Sequence, residues 1–231
     1  MLEVSSWHEQ GVEPIMQPDA KAEKVMGLML RLRQAGVRDQ RVLQAMEKIP
    51  REMFVERAFK DRAYEDIPLP IPCGQTISQP SIVALMTEAL ELTPRCKVLE
   101  IGAGSGYHSA VLAQLARRVY AMERHKDLAR DARERLEKLG ISNVTVRTGD
   151  GTRGWPEQAP FDRIIATAAA DDTPAILLEQ LKPGGIMVLP VGQTDEVQQL
   201  IKIEKTETGL EYKELSDVLF VPLVEGLPED I

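Results

Sequence analysis

The stretch Val98-Leu99-Glu100-Ile101-Gly102-Ala103-Gly104-Ser105-Gly106 constrains this chain most. It reads as a buried strand that runs directly into a glycine-rich turn. A helix pattern follows at once, with Val111, Leu112 and Leu115 on one face. A junction of this kind forms a nucleotide-cofactor site, because glycines let the backbone approach a ligand and the helix start offers unpaired N–H groups. The spelling narrows the class. A dinucleotide fingerprint wants its third glycine at position 107, where Tyr107 stands. Glu100, just ahead of the first glycine, suits a ligand with an amino group better than one with a pyrophosphate. S-adenosylmethionine (SAM) is such a ligand, and a nicotinamide or flavin domain is the competing reading.

The pattern around the junction predicts the fold. From Lys97 onward, strand and helix signals alternate. Strands are expected at Val98–Ile101, Val119–Met122, Val144–Arg147, Arg163–Thr167 and Ile186–Val191, with helices at about Tyr107–Ala116, Asp127–Leu139 and Pro174–Leu181. Thr173 is the expected N-cap of the last helix, with Pro174 at its first position. This alternation implies an α/β architecture: a doubly wound, mostly parallel, seven-stranded, Rossmann-like sheet. Val197–Lys205 and Glu211–Val221, joined through Glu207-Thr208-Gly209, read as a C-terminal antiparallel hairpin at the sheet edge.

Upstream, helices are expected over about Ala22–Ala35 and Asp39–Lys48, the second capped by Asp39. One more short helix fits within Arg51–Tyr64. The segment Ile67 to Pro80 is crowded with prolines, which exclude a regular helix or a central strand. Its interleaved Ile67, Leu69, Ile71 and Ile77 argue for a packed, ordered loop, and long ordered loops carry function. A helix opens at Pro80-Ser81. The domain plan is therefore an N-terminal arm over residues 1–21, with a disordered tail and an arm packed on the domain both open. One domain over residues 22–224 and an acidic tail over 225–231 complete it.

Bulk properties exclude other classes. The chain has 231 residues, enough for one α/β domain, and a net charge of −8, which disfavours nucleic-acid and anionic-membrane partners. Arg130, Arg133 and Arg135 read as a solvated helix face. Cys73 and Cys96 lack metal-ligand spacing, so no metal site is expected, and so few cysteines fit a reducing cytoplasm. No secretory h-region and no membrane-spanning run is visible. The expected protein is a cytoplasmic monomer.

In an open parallel sheet the ligand sits beyond the carboxyl ends of the strands. Glu100 to Gly106 lies at one such end, giving Glu100, Gly102, Ala103, Gly104, Ser105 and Gly106 as cofactor residues. Glu123 follows the next strand, where a carboxylate accepts both ribose hydroxyls. Asp150 lies between Gly149 and Gly151 and can reach an adenine amino group; a plain Asp-Gly turn is the alternative. Thr167-Ala168-Ala169-Ala170 would leave room for the methionine part of SAM or for substrate. His108 and His125 read as polar helix-start or loop residues rather than catalytic bases.

Together these features resemble class I SAM-dependent methyltransferases, and more narrowly the protein-L-isoaspartate O-methyltransferase family. The resemblance runs from about Ala22 to Leu223. Its most specific part is Pro70-Ile71-Pro72-Cys73-Gly74-Gln75-Thr76-Ile77-Ser78-Gln79-Pro80. Pro50-Arg51-Glu52-Met53-Phe54-Val55, Lys182-Pro183-Gly184-Gly185 and Phe220-Val221-Pro222-Leu223 are also similar to family segments. Pro72 and Cys73 depart from the family pattern. The resemblance implies methyl transfer from SAM to the α-carboxylate of L-isoaspartyl residues in damaged proteins and peptides. The ester then returns to a succinimide, from which normal aspartate is recovered. It also implies Ser78 as the active-site residue, assisted by Thr76, with Ile77, Val221 and Leu223 at the substrate; a turn or helix cap is the other role open to Ser78. Alternative activities are methylation of a small molecule or RNA, a non-catalytic SAM-binding module, and a nicotinamide-dependent oxidoreductase.

Overall fold

The computed structural model describes residues 20–194 and 196–228. The arm expected over residues 1–21 lies, up to residue 19, outside the described residues, as does the end of the acidic tail. Helix α1 (Ala20–Gln34) begins two residues earlier than its periodicity suggested, and α2 (Gln40–Lys48) follows. Asp39 caps α2 as expected: its Oδ1 accepts the Arg41 N–H at 2.8 Å, and its carboxylate also pairs with the Arg41 guanidinium. The short helix expected within Arg51–Tyr64 is instead two 3₁₀ turns, Arg51–Met53 and Arg57–Arg62. The proline-rich segment folds as a small hairpin apart from the main sheet, with β1 (Leu69–Ile71) antiparallel to β2 (Gln75–Ile77). Cys73 and Gly74 turn it, both at positive φ. The prolines allow this because a two-stranded ribbon needs few ladder N–H groups.

Helix α3 (Pro80–Ala89) starts with proline in its first turn, where no N–H is needed. The Ser81 N–H goes to Asp66 Oδ1 at 2.7 Å, and the Gln79 cap makes no side-chain bond. Ser78 therefore does not cap this helix. Glu88, near the end of α3, accepts the N–H groups of Arg38 and Asp39 and so ties α3 to the start of α2.

The remaining elements are β3 (Lys97–Ile101), α4 (Tyr107–Ala113), β4 (Arg118–Glu123), α5 (Lys126–Lys138), β5 (Val144–Thr148), β6 (Phe161–Ala166), α6 (Ala175–Glu179), β7 (Leu181–Val191), β8 (Gln198–Lys205) and β9 (Leu210–Val218). The seven main strands lie in the order β5-β4-β3-β6-β7-β8-β9. Pairs from β5 through β7 are parallel, and β8 and β9 add antiparallel at one edge. The strand order reverses at β3, and the crevice beyond the carboxyl ends of β3, β4 and β6 is the ligand position of such sheets.

Burial on both faces explains why the parallel strands read as apolar runs. In β3, Val98 joins Val119, Ile165 and Val188 on one face. Leu99 and Ile101 join Met122, Ile164 and Met187 on the other. A third cluster packs α1, α2 and the hairpin against α4 and α5, with Leu32, Met46, Phe54, Tyr107 and Leu128 at its centre. The edge strand β9 is mostly exposed and carries Glu211, Lys213, Glu214 and Asp217.

Two boundaries are corrected. Thr173 is not the cap of α6. Pro174 is, with extended dihedrals, and its carbonyl accepts the N–H groups of Leu177 and Leu178, while the Thr173 N–H is taken by Asp172. The helix then stops at Glu179, because Leu181 already pairs with Phe161 and the Lys182-Pro183-Gly184-Gly185 segment extends β7 backward. Removing the α2 cap tests the local reading: Asp39→Ala should lower unfolding free energy by about 1 kcal/mol in urea denaturation at neutral pH.

Candidate active site

The glycine turn takes its shape from three left-handed positions, Gly102 (φ 91°), Gly104 (φ 53°) and Gly106 (φ 87°), which L side chains adopt only at a cost. It folds back onto the end of β4. The N–H groups of Gly102 and Ala103 both donate to the Met122 carbonyl, at 2.9 and 3.0 Å. The Gly104 N–H donates to Glu123 Oε2 at 2.8 Å, and the other Glu123 oxygen takes the His125 N–H at 2.9 Å. At Gly102 a Cβ would stand 2.5 Å from Thr167 Oγ1, and at Gly151 it would stand 2.5 Å from Ile101 Cγ2. A side chain at either place would collide with a residue that lines the crevice.

The crevice has two parts. The larger, about 410 Å³, is bounded by Ser78, Ile77, Ala103, Ser105, His108 and Phe220 among others. The smaller, about 70 Å³, is bounded by Glu123, His125, Gly151, Met122 and Leu223 among others. Thr76, Gly102, Gly104, Thr167 and Val221 border both and so form the wall between them. The Thr167 hydroxyl donates to the Gly102 carbonyl at 2.6 Å, which ties the end of β6 to the glycine turn.

The structure thus brings together most residues singled out from the sequence. Ser78 is half-buried on the large cavity, and Thr76, the outward residue of β2, is exposed at the shared wall. Glu123 is 5% exposed, with two backbone N–H groups already orienting its carboxylate. Asp150 borders neither part; its neighbour Gly151 does. Burial would raise the Asp150 carboxyl, but the Thr152 hydroxyl and the N–H groups of Gly226 and Thr152 outweigh it and hold it below its ordinary value. Gly106 lies behind the crevice, 3.1 Å from Ala132 by a Cβ built upon it. Val221 borders both parts, whereas Leu223 borders only the small one.

Glu100 stands apart. It is fully buried in β3, on the face otherwise given to apolar packing, and borders neither part of the crevice. The Ser109 hydroxyl donates to its Oε2, and its Oε1 has no partner. Burial pushes its carboxyl up to about 8, against the Ser109 bond. His108, read from the sequence as a polar helix-start residue, stands in the first turn of α4 and borders the large cavity. It is buried, its Nε2 lies 2.9 Å from Thr87 Oγ1, and burial pushes it down to about 3, so it stays neutral. The Thr87 hydroxyl donates to the Val83 carbonyl, so His108 donates to Thr87 through Nε2–H. The segment Asp217 to Leu219 was missed as a cavity wall; it belongs to no motif that was singled out and arrives there because β9 ends beside β8.

Glu100 and His108 set opposite pH limits. A carboxyl raised to about 8 on folding takes up a proton, so its contribution to stability declines as pH rises from about 4.3 through 8. A histidine held neutral contributes stability above its unfolded value, lost as pH falls from about 6.5 towards 3. Glu100→Gln should therefore remove the alkaline decline, up to ~1.4 kcal/mol per pH unit, and leave the acid one. Thermal melts of both proteins from pH 5 to 9 check this; parallel curves would refute it.

Comparisons with known proteins identify the family. The profile of the protein-L-isoaspartate(D-aspartate) O-methyltransferase family matches residues 23–227. The protein-L-isoaspartate O-methyltransferase of Paracoccus denitrificans is 62% identical over 206 residues, covering 89% of this chain and 95% of its own. That of Roseobacter denitrificans is 59% identical over 211 residues, covering 91% and 99%. A solved protein-L-isoaspartate O-methyltransferase superposes with a TM-score of 0.78 at 32% identity, over 86% of this chain and 65% of that longer one. A Plasmodium falciparum structure, described as a putative member in complex with S-adenosyl-L-homocysteine, gives 0.74 at 26% identity over 87% and 98%. The chain belongs to the protein-L-isoaspartate(D-aspartate) O-methyltransferase family.

Proposed function

We propose that this protein transfers the methyl group of SAM to the α-carboxylate of L-isoaspartyl residues in damaged proteins and peptides, starting their repair through a succinimide. One observation carries the reading. A small compartment suited to a nucleoside opens, across a wall that includes Thr76, onto a larger compartment bordered by Ser78.

The residues present fit the donor. Glu123 has its carboxylate oriented by Gly104 and His125, with lone pairs left for two ribose hydroxyls. Ile101, Met122 and Leu223 supply apolar surface for a flat ring beside Gly151, whose bare backbone lets Ile101 pack directly against it. Ala103, Gly104 and Ser105 line the passage toward Ser78. Asp150 and Gly106 hold the turns on which these residues stand, and Glu100 braces β3 against α4 through Ser109. When bound, SAM supplies an electrophilic methyl group on a sulfonium cation.

The acceptor is a carboxylate with an ordinary pKa of about 3.5, already ionised at neutral pH, so the chain need supply no general base. Neutral, buried His108 is consistent with that. The tasks left to the protein are orientation and exclusion of water, since charge is lost as an anion meets a sulfonium. The hydroxyls of Ser78 and Thr76 hold the carboxylate by donation, while Ile77 and Val221 close the apolar sides. The working unit is a single domain over residues 22–224, acting as a cytoplasmic monomer without nucleic-acid or membrane partners. Net charge −8 supports this. Among the described residues no helix is long and apolar enough to cross a membrane.

An isoaspartyl peptide should accept methyl from labelled SAM while its aspartyl counterpart does not; equal transfer to both, or none to either, overturns the reading. Ser78→Ala should lose most turnover, about a hundredfold, and keep SAM affinity within about threefold, measured by calorimetry. Glu123→Ala should do the reverse, raising KM for SAM by about tenfold or more with a smaller change in KM for peptide.

A further inference from the structure

Arg51 is a large, fully buried charged side chain, 0% exposed, and nothing in the mechanism above uses it. Its Nη2 donates to the Ser78 carbonyl at 2.8 Å. Its guanidinium carbon lies 4.8 Å from the centre of the Tyr107 ring, a cation–π distance. Its Nε and Nη1 have no hydrogen-bond partner. Among the described residues no carboxylate forms an ion pair with it; Asp66 acts on it only through space, with its own Oδ1 given to the Ser81 N–H.

A buried guanidinium without a paired carboxylate is costly, and an apolar residue of similar size would serve packing better. The cost is explained by where the contacts fall. Ser78 ends the loop on one wall of the large cavity. Tyr107 opens α4 directly after the glycine turn and also borders that cavity. Arg51 touches both, so one side chain sets the spacing between the acceptor-side loop and the donor-side turn. It also lies behind Ser78, where low dielectric extends the reach of its charge into the space that Ser78 borders.

We infer that Arg51 is a positioning residue for the methyl acceptor: it fixes Ser78 through the main-chain carbonyl and supplies a buried positive charge behind the carboxylate site. This rests on the acceptor being an isoaspartyl carboxylate. It requires no contact between Arg51 and substrate. A bond to a carbonyl orients the Ser78 backbone and leaves the hydroxyl for the acceptor, and the charge favours an anion in front of it.

Two variants separate these parts. Arg51→Gln keeps an N–H donor and removes the charge; Arg51→Lys keeps the charge and loses the planar fork. Initial rates are measured with an isoaspartyl hexapeptide and with SAM varied in turn, and the Kd of S-adenosylhomocysteine is measured by calorimetry. For Arg51→Gln, KM for peptide should rise about tenfold or more while KM for SAM and the Kd stay within about twofold. Arg51→Lys should fall between it and the parent. A purely structural role predicts that both KM values and the Kd move together; that outcome, or no change in peptide KM, overturns the inference. If Arg51→Gln does not fold, Arg51→Lys decides: peptide KM must rise alone by about threefold or more. An inactive parent protein would instead overturn the proposed reaction, and so is told apart from failure of the Arg51 role.

Discussion

The Met122 carbonyl and the Glu123 carboxylate at the end of β4 are the support on which the site depends. Between them they accept the N–H groups of Gly102, Ala103 and Gly104 and so hold three successive residues of the turn against the neighbouring strand. Without those bonds a glycine-rich segment would be the most conformationally free part of the chain. With them it is a rigid rim whose backbone can stand next to a ligand. The parallel β3–β4 register makes the bonds possible by placing Ile101 beside Met122. Sheet pairing thereby decides the position of the cofactor crevice, and burial of both sheet faces fixes the pairing.

How legible this was depended on the range of the interactions. Strands β3 to β6 and the C-terminal pair were readable because two-sided burial leaves apolar runs and the turns between them carry glycine. The Asp39 cap was readable because a side chain accepting an N–H two residues on is a local event. Pro174 was misplaced by one residue because proline suits both the cap and the first helical position, and only the pairing of Leu181 with Phe161 decides how much chain remains for the helix. The hairpin of β1 and β2 was hidden by its prolines, which exclude a central strand but not a short ribbon.

For the site, the glycine turn, Glu123 and the Thr76–Ser78 segment were visible as residue types at strand ends or in a loop too ordered to be idle. Glu100 shows the limit. Its place next to the glycines suggested a ligand contact, but residue parity in β3 turns it onto the buried face with Val98, toward Ser109. The Asp217–Leu219 segment was invisible, and the burial of His108 against Thr87 likewise, because both follow from packing between elements distant in sequence. Arg51 belongs to the same group: nothing in its neighbours along the chain announces that it reaches Ser78.

The open edge at β9 has a consequence for a protein that handles aged chains. Damaged substrates expose extended backbone, and an unprotected strand edge is a template for pairing with it. β9 presents Glu211, Lys213, Glu214 and Asp217 along that edge, charges that oppose ladder formation with an arriving chain. The charges on β9 thus disfavour strand pairing at the one edge the C-terminal hairpin leaves open, which keeps the contact with an extended chain at the crevice rather than along the sheet.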